Sequence, residues 1–247
     1  MIYELRAAAK SLRRDGVAGF ARRVWVYIRH LFGGVILLCK PRREFAQAEQ
    51  SVDYALNAAG GVIRPWQVRS EIVSLASLVR QAQPKVVVEI GTAMGGTLFL
   101  WCANAALDAV IVSIDLPNGD HGGGYPYWKT FLYRSFARPR QEVFLFRGDS
   151  HSSEMLGRLE SALNGRQIDY LFIDGDHTYE GAKKDFESYS PLVRHGGIIA
   201  LHDVAAHTPG MHCEVDRYWD ELKSTRSHRE FIAEAKQGWA GIGVIFT

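Results

Sequence analysis

From residue 84 onward, short apolar runs alternate with segments whose apolar residues recur every three or four positions. The runs predict strands at 86–90, 110–114, 143–146, 170–173 and 197–201, and the periodic segments predict helices at 95–106, 153–163 and 180–188. Two more apolar segments, 230–235 and 241–246, predict a C-terminal antiparallel β-hairpin with a short glycine-containing turn. The pattern indicates an α/β fold with a doubly wound, mostly parallel, seven-stranded sheet, which binds ligands at the carboxyl ends of its strands.

The part of the chain ahead of this sheet is predicted to be helical. Apolar positions predict one helix over 45–59, ended by Gly60 and Gly61, and a second that opens at Pro65. Residues 1–43 hold ten Lys and Arg against two acidic residues, a charge of +8, so the remainder carries −6 of the net +2. We therefore predict a basic helical N-terminal appendage over 1–59 and one α/β domain over 60–247.

The basic segment favours an anionic surface, either membrane lipid or a partner protein, and the acidic remainder argues against nucleic acid. Its apolar run 31–39 is too short to span a bilayer and does not lead into a signal-peptide cleavage site. A solvated helix and a helix lying in the membrane interface are both open interpretations; the second would bury Trp25, Tyr27, Phe32, Ile36 and Leu37. Three scattered cysteines favour a reducing cytoplasm, with a peripheral position at the inner membrane face as the variant.

Three glycines, Gly91, Gly95 and Gly96, follow the first predicted strand. Glycine there lets the backbone turn sharply towards a ligand, and the next helix offers unpaired N–H groups. The spacing G-x-x-x-G-G differs from the dinucleotide fingerprint G-x-G-x-x-G, and the Lys-Ser/Thr pair of a phosphate-binding loop is missing from this segment. A nicotinamide-dependent dehydrogenase is therefore disfavoured.

Polar residues stand at the ends of the first three predicted strands. Glu89 precedes the first glycine, Asp115 ends the second strand, and Asp149 with Ser150 follows the third. A carboxylate at the second strand end can accept both hydroxyls of a ribose, the Asp-Ser pair can meet an adenine edge, and Glu89 can organise the loop. Each residue also has a structural interpretation, because Glu89 can cap its loop and the Asp-Ser pair can cap the helix near 153.

A second polar cluster stands at the ends of the fourth and fifth predicted strands. Asp174 and His177 follow one strand, and His202 and Asp203 end the other. Carboxylate and imidazole groups converging at one sheet edge can remove a proton from a hydroxyl, or hold a cation that stabilises the alkoxide. Oxygen ligands suit Mg²⁺, and a neighbouring imidazole also admits Mn²⁺ or another transition metal.

Five segments match motifs of a known family: VEIGT at 88–92, SIDL at 113–116, GDSH at 148–151, FIDGDHTYEG at 172–181 and GGIIALHDV at 196–204. With them the sequence resembles class I S-adenosylmethionine-dependent methyltransferases, in the family of cephalosporin-hydroxylase-like proteins and metal-dependent sugar O-methyltransferases of macrolide biosynthesis. The sequence is more distantly similar to catechol O-methyltransferase. The resemblance covers about residues 60–247 and leaves 1–43 outside.

The resemblance implies S-adenosylmethionine as the methyl donor. Its implied contacts are Gln67, Glu89, Gly91, Thr92, Gly95, Gly96, Thr97, Asp115, Asp149, Ser150, His151 and Asp174. It also implies a divalent cation, Mg²⁺ or another, held by Asp174 and Asp203, with His202 where relatives often carry glutamate. His177 takes the position of the general base, with Asp174 as the second catalytic residue.

Residues 116–141 form a loop long enough to be a lid or to carry a helix. Aromatic faces suit stacking on sugars or phenols, so we predict acceptor contacts at His121, Tyr125, Trp128 and His177. Packing of these rings against the sheet is the competing interpretation. Similarly, residues 176 and 178 can simply cap the next helix, and the histidine at 202 can be a satisfied core residue.

The sequence thus predicts an O-methyltransferase acting on a hydroxyl of a sugar or glycan-like acceptor, with metal assistance. Three alternatives stay open: the same reaction on a catechol, polyphenol or other small natural product; an NAD-binding oxidoreductase; and a non-catalytic module that only senses S-adenosylmethionine. Related enzymes often self-associate through segments ahead of the core, so a homo-oligomer such as a dimer is also expected.

Overall fold

A computed structural model of the chain describes residues 2–40, 43–117, 124–208 and 210–247, with the side chains of all these except 2–15 and 23. The helices are α1 (Ile2–Cys39), α2 (Ala48–Asn57), α3 (Arg69–Ala82), α4 (Gly96–Asn104), α5 (Lys129–Arg134), α6 (Ser153–Leu163), α7 (Tyr179–Tyr189) and α8 (Val215–Thr225). The strands are β1 (Val86–Ile90), β2 (Val110–Asp115), β3 (Glu142–Arg147), β4 (Ile168–Ile173), β5 (Val193–His202), β6 (His228–Phe231) and β7 (Ile242–Phe246).

The seven strands form one sheet in the order β3-β2-β1-β4-β5-β7-β6. Strands β1 to β5 are parallel to one another, and β7 runs antiparallel between β5 and β6. The predicted mostly parallel sheet and the antiparallel pairing of its last two strands are confirmed. Because the chain moves outward from β1 in both directions, the strand order reverses between β1 and β4, and that point is where such sheets bind ligands.

Helices cover both faces of the sheet. On one face α2, α3 and α4 enclose Trp101, whose ring centre lies 5.0 Å from Tyr170 and 5.3 Å from Phe172 in edge-to-face contacts. On the other face α6, α7 and α8 pack around Trp219. Every residue of β1 is buried, as its run of apolar residues without alternation predicts. The helical layers leave the carboxyl edge of the parallel strands as the accessible end of the sheet.

Helix α1 docks on this core through two glycines of its C-terminal half. A Cβ at Gly34 would lie 2.6 Å from the ring of Trp128, and one at Gly33 would lie 2.9 Å from the carbonyl oxygen of Ala59. Larger side chains would hold the helix away from the core. None of the helices in the described residues combines enough length and apolar character to cross a bilayer.

Helix α2 lies in the predicted appendage, yet Ser51, Val52 and Ala55 on it are fully buried against the core. The division at residue 59 stays a prediction, but the packing is continuous across it. Helix α3 begins at Arg69 and not at Pro65, because the backbone before it is still extended at Val68, with ψ 134°.

The predicted short turn between the last two strands is wrong, because residues 232–241 separate β6 from β7. A single buried carboxylate, Glu71 of α3, orders this connection. Its oxygens accept hydrogen bonds from Ala233 N at 3.0 Å, Gln237 Nε2 at 2.7 Å and Gly241 N at 3.0 Å. These three hydrogen bonds attach the connection to α3.

Candidate active site

A cavity of about 620 Å³ opens at the carboxyl edge of the sheet, where the strand order reverses. The turns after strands β1 to β5 form its walls, together with residues 64–67. Most of the residues singled out in the sequence line it, namely Gln67, Gly91, Thr92, Gly96, Thr97, Asp115, Asp149, Ser150, His151, Asp174, His177, His202 and Asp203. The sequence therefore located the cavity correctly.

Gly91 brings the ends of β1 and β4 into direct contact. It has φ 91°, in the left-handed region, and a Cβ on it would lie 1.8 Å from the carbonyl oxygen of Asp174. No residue with a side chain fits there without moving the backbone. The turn after β1 is therefore in direct main-chain contact with Asp174 at the end of β4.

The next two glycines serve packing more than ligand contact. Gly95 precedes α4 with φ 81°, and a Cβ on it would lie 2.4 Å from the ring of Tyr133. A Cβ on Gly96 would lie 2.4 Å from the backbone nitrogen of Pro65. Gly96 and Thr97 reach the cavity surface, whereas Gly95, predicted as a cofactor contact, is not part of the cavity lining.

Glu89 is fully buried beneath the cavity and does not line it. Trp101 Nε1 donates a hydrogen bond of 3.1 Å to its Oε1. Burial raises the pKa of the Glu89 carboxyl to about 8, against the opposing effect of hydrogen bonds from Thr97 and Trp101. The predicted direct contact of Glu89 with the cofactor is therefore not seen; the side chain supports the turn from below.

Asp115 ends β2 at the cavity wall, as predicted. The backbone N–H of Gly124 lies 3.1 Å from each of its carboxylate oxygens. Burial raises the pKa of Asp115 to about 6, while the amides of Gly124 and Thr92 and the charge of Arg147 act in the opposite direction. A buried carboxylate here favours a ligand that brings hydroxyl donors, such as a ribose.

The turn after β3 exposes Asp149 and Ser150 to the cavity. Asp149 does not cap α6, because Ser152 accepts the hydrogen bond from Met155 N at 3.2 Å and is the N-cap. Asp149 instead accepts a bond of 2.9 Å from the backbone N–H of His151. The His151 ring lies 3.2 Å from buried Asp185, and this carboxylate raises the pKa of His151.

The reaction end of the cavity is built around Asp174. Its Oδ2 accepts a hydrogen bond of 2.7 Å from Gln67 Nε2, and its Oδ1 lies 3.1 Å from Nδ1 of His202. Gln67 is buried, and its Oε1 has no hydrogen-bond partner among the described residues. The amide therefore fixes the carboxylate, and Gln67 itself is part of the cavity lining.

His177 follows β4 and faces the end of β5. Its Nδ1 lies 3.2 Å from Oδ2 of Asp203, and its Nε2 lies 3.7 Å from Oδ1 of Asp174. Thr178 caps α7 by accepting a hydrogen bond of 3.0 Å from Gly181 N, so the capping interpretation is confirmed for Thr178. That cap fixes the start of α7 immediately after His177.

Charges compensate one another in this cluster. Burial alone would lower the pKa of His202, but Asp174 and Asp203 outweigh it and raise that pKa well above 6.5. Conversely, burial opposes ionisation of Asp203, yet the charges and hydrogen bonds of His202, His207 and His177 hold its pKa below the usual range. His202 is thus a buried histidine paired with two carboxylates, not one surrounded by apolar core.

Three donor atoms in this cluster have the spacing that a divalent cation requires. The ligand atoms of Asp174, His202 and Asp203 all lie within 4.8 Å of one another, and the imidazole nitrogen lies 3.1 and 3.4 Å from the two carboxylates. Two ligands about 2.1 Å from one ion and at right angles lie roughly 3 Å apart. The donor set of two oxygens and one nitrogen suits Mn²⁺ or a similar metal better than Mg²⁺. Without a metal, the charged imidazole neutralises part of the same carboxylate pair.

Two predicted acceptor contacts lie elsewhere. Tyr125 and Trp128 do not line this cavity but face a second one, of about 660 Å³, beside α1. Tyr125 packs against Tyr133, with ring centres 4.7 Å apart, and Trp128 packs against Tyr27 at 6.5 Å. The predicted contact at 121 lies outside the described residues. The helix expected as one possibility for 116–141 is present as α5.

No motif in the sequence indicates that two tryptophans lie at the cavity. Trp66 and Trp239 line it with side chains that are 56% and 42% exposed. Trp66 lies in the extended segment before α3, and Trp239 lies in the long connection before β7. Only the fold brings these distant positions to one opening. His207 also lies near the cluster at the reaction end, with Nε2 3.4 Å from Oδ1 of Asp203.

This strand order, with β7 antiparallel and a cavity at the β1/β4 switch point, defines the class I methyltransferase fold. Residues 88–204 match a family model described as a methyltransferase domain. The chain therefore contains a methyltransferase domain over residues 88–204 and has the class I methyltransferase fold. The matched segment begins in β1 and ends immediately after β5, so it includes the first five strands and the ends of all of them.

Solved structures share the fold. An O-methyltransferase from Bacillus cereus in complex with SAH is 17% identical with a TM-score of 0.56, and covers 85% of this chain and 93% of its own. A putative caffeoyl-CoA O-methyltransferase from Staphylococcus aureus is 19% identical with a TM-score of 0.57, covering 80% and 92%. TomG from Streptomyces achromogenes, an O-methyltransferase of tomaymycin synthesis in complex with SAM, is 16% identical with a TM-score of 0.55, covering 83% and 91%.

A relative in sequence is the uncharacterized protein y4gI of Sinorhizobium fredii, which is 28% identical over 173 residues. The alignment includes 68% of this chain but only 18% of that protein's length. This chain therefore corresponds to less than a fifth of that relative.

Proposed function

We propose that the protein transfers the methyl group of S-adenosylmethionine to a hydroxyl of a sugar or glycan-like acceptor, with His177 as general base. The observation that carries the proposal is the contact of 3.2 Å between His177 Nδ1 and Asp203 in a cavity that also presents Asp115 and Asp149. A carboxylate on one imidazole nitrogen orients the ring, so that the other nitrogen can accept a proton.

The cavity residues divide between donor and acceptor. Asp115 would accept hydrogen bonds from the ribose hydroxyls, and the turn at Gly91 allows close approach of the donor. Gln67, which holds Asp174, would meet the amino acid part of the donor through its unpartnered Oε1. With the donor bound in this way, His177, His202 and Asp203 remain to contact the acceptor hydroxyl.

In the transfer step, the acceptor oxygen attacks the methyl carbon as His177 Nε2 takes the hydroxyl proton. The carbon–oxygen bond forms, the carbon–sulfur bond breaks, and the electron pair of that bond stays on sulfur, which loses its positive charge. Asp203 stabilises the imidazolium that results. Enclosure by the cavity walls limits the access of water to the sulfonium.

Metal assistance is part of the proposal. Asp174, His202 and Asp203 would hold a divalent cation, because two carboxylate oxygens and one imidazole nitrogen lie together there. When bound, such an ion would supply positive charge that lowers the pKa of the acceptor hydroxyl. The nitrogen donor favours Mn²⁺ over Mg²⁺.

A sugar acceptor is supported by the mixture of aromatic and polar groups at the opening. Trp66 and Trp239 offer partly exposed rings for stacking on a sugar face, and the carboxylates and imidazoles beside them offer partners for hydroxyls. A catechol or other phenol would use the same rings, so it is the second candidate acceptor.

The test combines donor binding with an acceptor screen. Calorimetry should show binding of S-adenosylmethionine and no binding of NAD, and mass spectrometry should detect methylated sugars from a panel that also contains catechols. His177→Ala should lower transfer at saturating donor by about a hundredfold. His195→Ala, at an exposed histidine on β5, is the matched control and should leave the rate unchanged.

Several outcomes would contradict parts of this proposal. A loss smaller than about tenfold in His177→Ala would remove the base assignment. Activity undiminished by EDTA would remove the metal. Methylation of catechols but not of sugars would show that the acceptor is a catechol. Donor binding without transfer to any acceptor would favour the non-catalytic alternative.

We also propose that α1 lies on an anionic membrane surface. Trp25, Phe32 and Ile36 are 60%, 65% and 49% exposed, and Arg29 lies over the Trp25 ring at 5.4 Å. Apolar side chains flanked by cations bind anionic bilayers through both components. The wild type should sediment with phosphatidylglycerol vesicles, and Trp25→Ser with Phe32→Ser should not.

Leu107→Ser, which alters an exposed apolar residue between α4 and β2, is the control and should sediment like the wild type. Equal sedimentation of the double variant and the wild type would contradict membrane contact. Loss of a dimer in that variant, measured by light scattering without vesicles, would instead assign the surface to self-association.

A further inference from the structure

A second cavity, of about 660 Å³, lies between α1 and residues 124–129. We name it the cationic cavity, because Arg22, His30 and Lys129 line it and no Asp or Glu does so among the described residues. It adjoins the active-site cavity, since Trp66, Ala93 and Met94 line both. The side chains of Arg22, His30 and Lys129 have no role in the proposed methyl transfer.

Lys129 is the best buried of the three. It is 3% exposed, and its Nζ lies 3.3 Å from the carbonyl oxygen of Val62, 3.9 Å from Met94 Sδ and 5.7 Å from the centre of the Tyr133 ring. Burial lowers the pKa of Lys129 to about 8, and the charge of Asp115 only partly offsets this effect. Buried ammonium groups are normally paired with an anion. The described residues supply no carboxylate within ion-pair distance of Nζ.

Two neutral donors at the same cavity also lack partners. The Tyr125 hydroxyl and Trp128 Nε1 are buried without a hydrogen-bond partner among the described residues, and the Tyr125 side chain is 2% exposed. Buried polar groups are nearly always hydrogen-bonded. An indole N–H can only donate and a phenol readily donates, so both would be satisfied by oxygen acceptors.

Helix α1 brings further positive charge to the opposite wall. Arg22 and His30 lie on this helix and face the cavity. The pKa of His30 is lowered by burial first, and then by the charges of Lys129 and Arg29. The charges of Lys129 and Arg29 therefore disfavour protonation of His30, and an anion in the cavity would offset that effect.

We propose that the cationic cavity binds a phosphate group. An ammonium, a guanidinium and an imidazole, with two neutral donors beside them, offer more positive charge and more donors than one carboxylate can use, and they match a dianionic phosphate with its acceptor oxygens. The inference does not depend on the methyl acceptor proposed above, because Arg22, His30 and Lys129 have no role in the proposed transfer chemistry.

The phosphate can belong to a soluble phosphate ester or to a lipid headgroup. The first test uses inorganic phosphate on the full chain, with the melting temperature and calorimetry as readouts, and chloride at equal ionic strength as the reference. Phosphate should raise the melting temperature of the wild type, because a ligand that binds only the folded state stabilises it. The second test measures sedimentation with vesicles of phosphatidylglycerol and of phosphatidylcholine.

Lys129→Met nearly keeps the length of the side chain but removes its charge, and Arg22→Gln alters an exposed side chain outside the core. Each should weaken phosphate binding by about tenfold or more, since a hydrogen bond to a charged group is lost. Lys85→Met, at the exposed start of β1 on the opposite edge of the sheet, is the control and should bind phosphate like the wild type.

Phosphate binding that both cavity variants lose supports the proposal with a soluble ester as ligand. Vesicle binding that requires phosphatidylglycerol and is weakened in both variants supports it with a lipid headgroup as ligand. The proposal is overturned if neither arm shows binding, or if both cavity variants bind as the wild type does. These readouts do not involve methyl transfer, so they stand or fall separately from the proposed reaction.

Discussion

Nδ1 of His177 lies 3.2 Å from Oδ2 of Asp203, which joins the turn before α7 to the end of β5. The backbone of Asp203 has φ 63°, a left-handed conformation that is uncommon outside glycine and is best tolerated by Asn and Asp. This conformation places the carboxylate between His177 and His202. Strain at such a position is maintained by the surrounding contacts, and it often accompanies a functional site.

Asp203→Asn should slow methyl transfer by about a hundredfold or more at saturating donor. Asn keeps the size of Asp and tolerates the same backbone conformation, but it has no charge to stabilise a protonated His177. The measurement is kcat as a function of pH, with the melting temperature as a check on folding. Donor binding should persist, and a rate within a few-fold of the wild type would contradict the paired arrangement.

Gly91→Ala should destabilise the protein by about 3 kcal/mol or more, or prevent folding, because the new Cβ would meet the Asp174 carbonyl oxygen at 1.8 Å and φ is 91°. Gly157→Ala is the matched control. Gly157 lies inside α6 with nothing within 4 Å of its Cβ position, so alanine should be neutral or stabilise by up to about 1 kcal/mol. Urea unfolding measures both, and similar midpoints would refute the steric argument.

Glu89→Gln should change how stability depends on pH. Because burial raises the pKa of Glu89 from 4.5 to about 8, the folded protein keeps a proton that the unfolded chain loses above 4.5. Wild-type stability therefore declines as pH rises through that window and levels off above it. Gln still accepts from Trp101 but does not titrate.

The stability advantage of the Gln variant should therefore grow from about pH 6 to about pH 8, by no more than about 1.4 kcal/mol per pH unit. Urea unfolding of both proteins without donor measures the difference. A constant difference across that range would show that Glu89 does not titrate there.

Glu71→Ala should destabilise the protein by about 3 kcal/mol, because three donors of the β6–β7 connection lose their acceptor. Glu71→Gln keeps one acceptor oxygen and should lose less. Since Trp239 lies in the same connection and lines the active-site cavity, the Ala variant should also raise KM for the acceptor more than it lowers kcat. Unfolding curves and steady-state kinetics test the two effects, and an unchanged midpoint would contradict the first.

Local patterns predicted the sheet well because strands buried on both faces are apolar runs, and each of the five parallel strands contains such a run of three residues or more, as in β1. The residues at the strand ends were equally visible, since parallel strands end at one edge. Asp115, Asp174 and Asp203 accordingly lie at the cavity as predicted.

The contacts that were mispredicted depend on packing between distant segments. Glu89 points away from the cavity to Trp101, and Trp128 packs beside Gly34 of α1. A sequence pattern shows that such residues are polar or aromatic, but not which of two neighbouring surfaces they face. The long β6–β7 connection was also beyond a local pattern, because its hydrogen-bond acceptor lies in α3.

That acceptor has a consequence for how the enzyme can diversify. Glu71 accepts hydrogen bonds from two backbone amides of the connection, at 233 and 241, and from one side chain, at 237. Backbone amides are present whatever amino acid stands there, proline excepted. Trp239, which lies between these bonds and is 42% exposed, can therefore be exchanged to vary the acceptor preference without removing the bonds to Glu71.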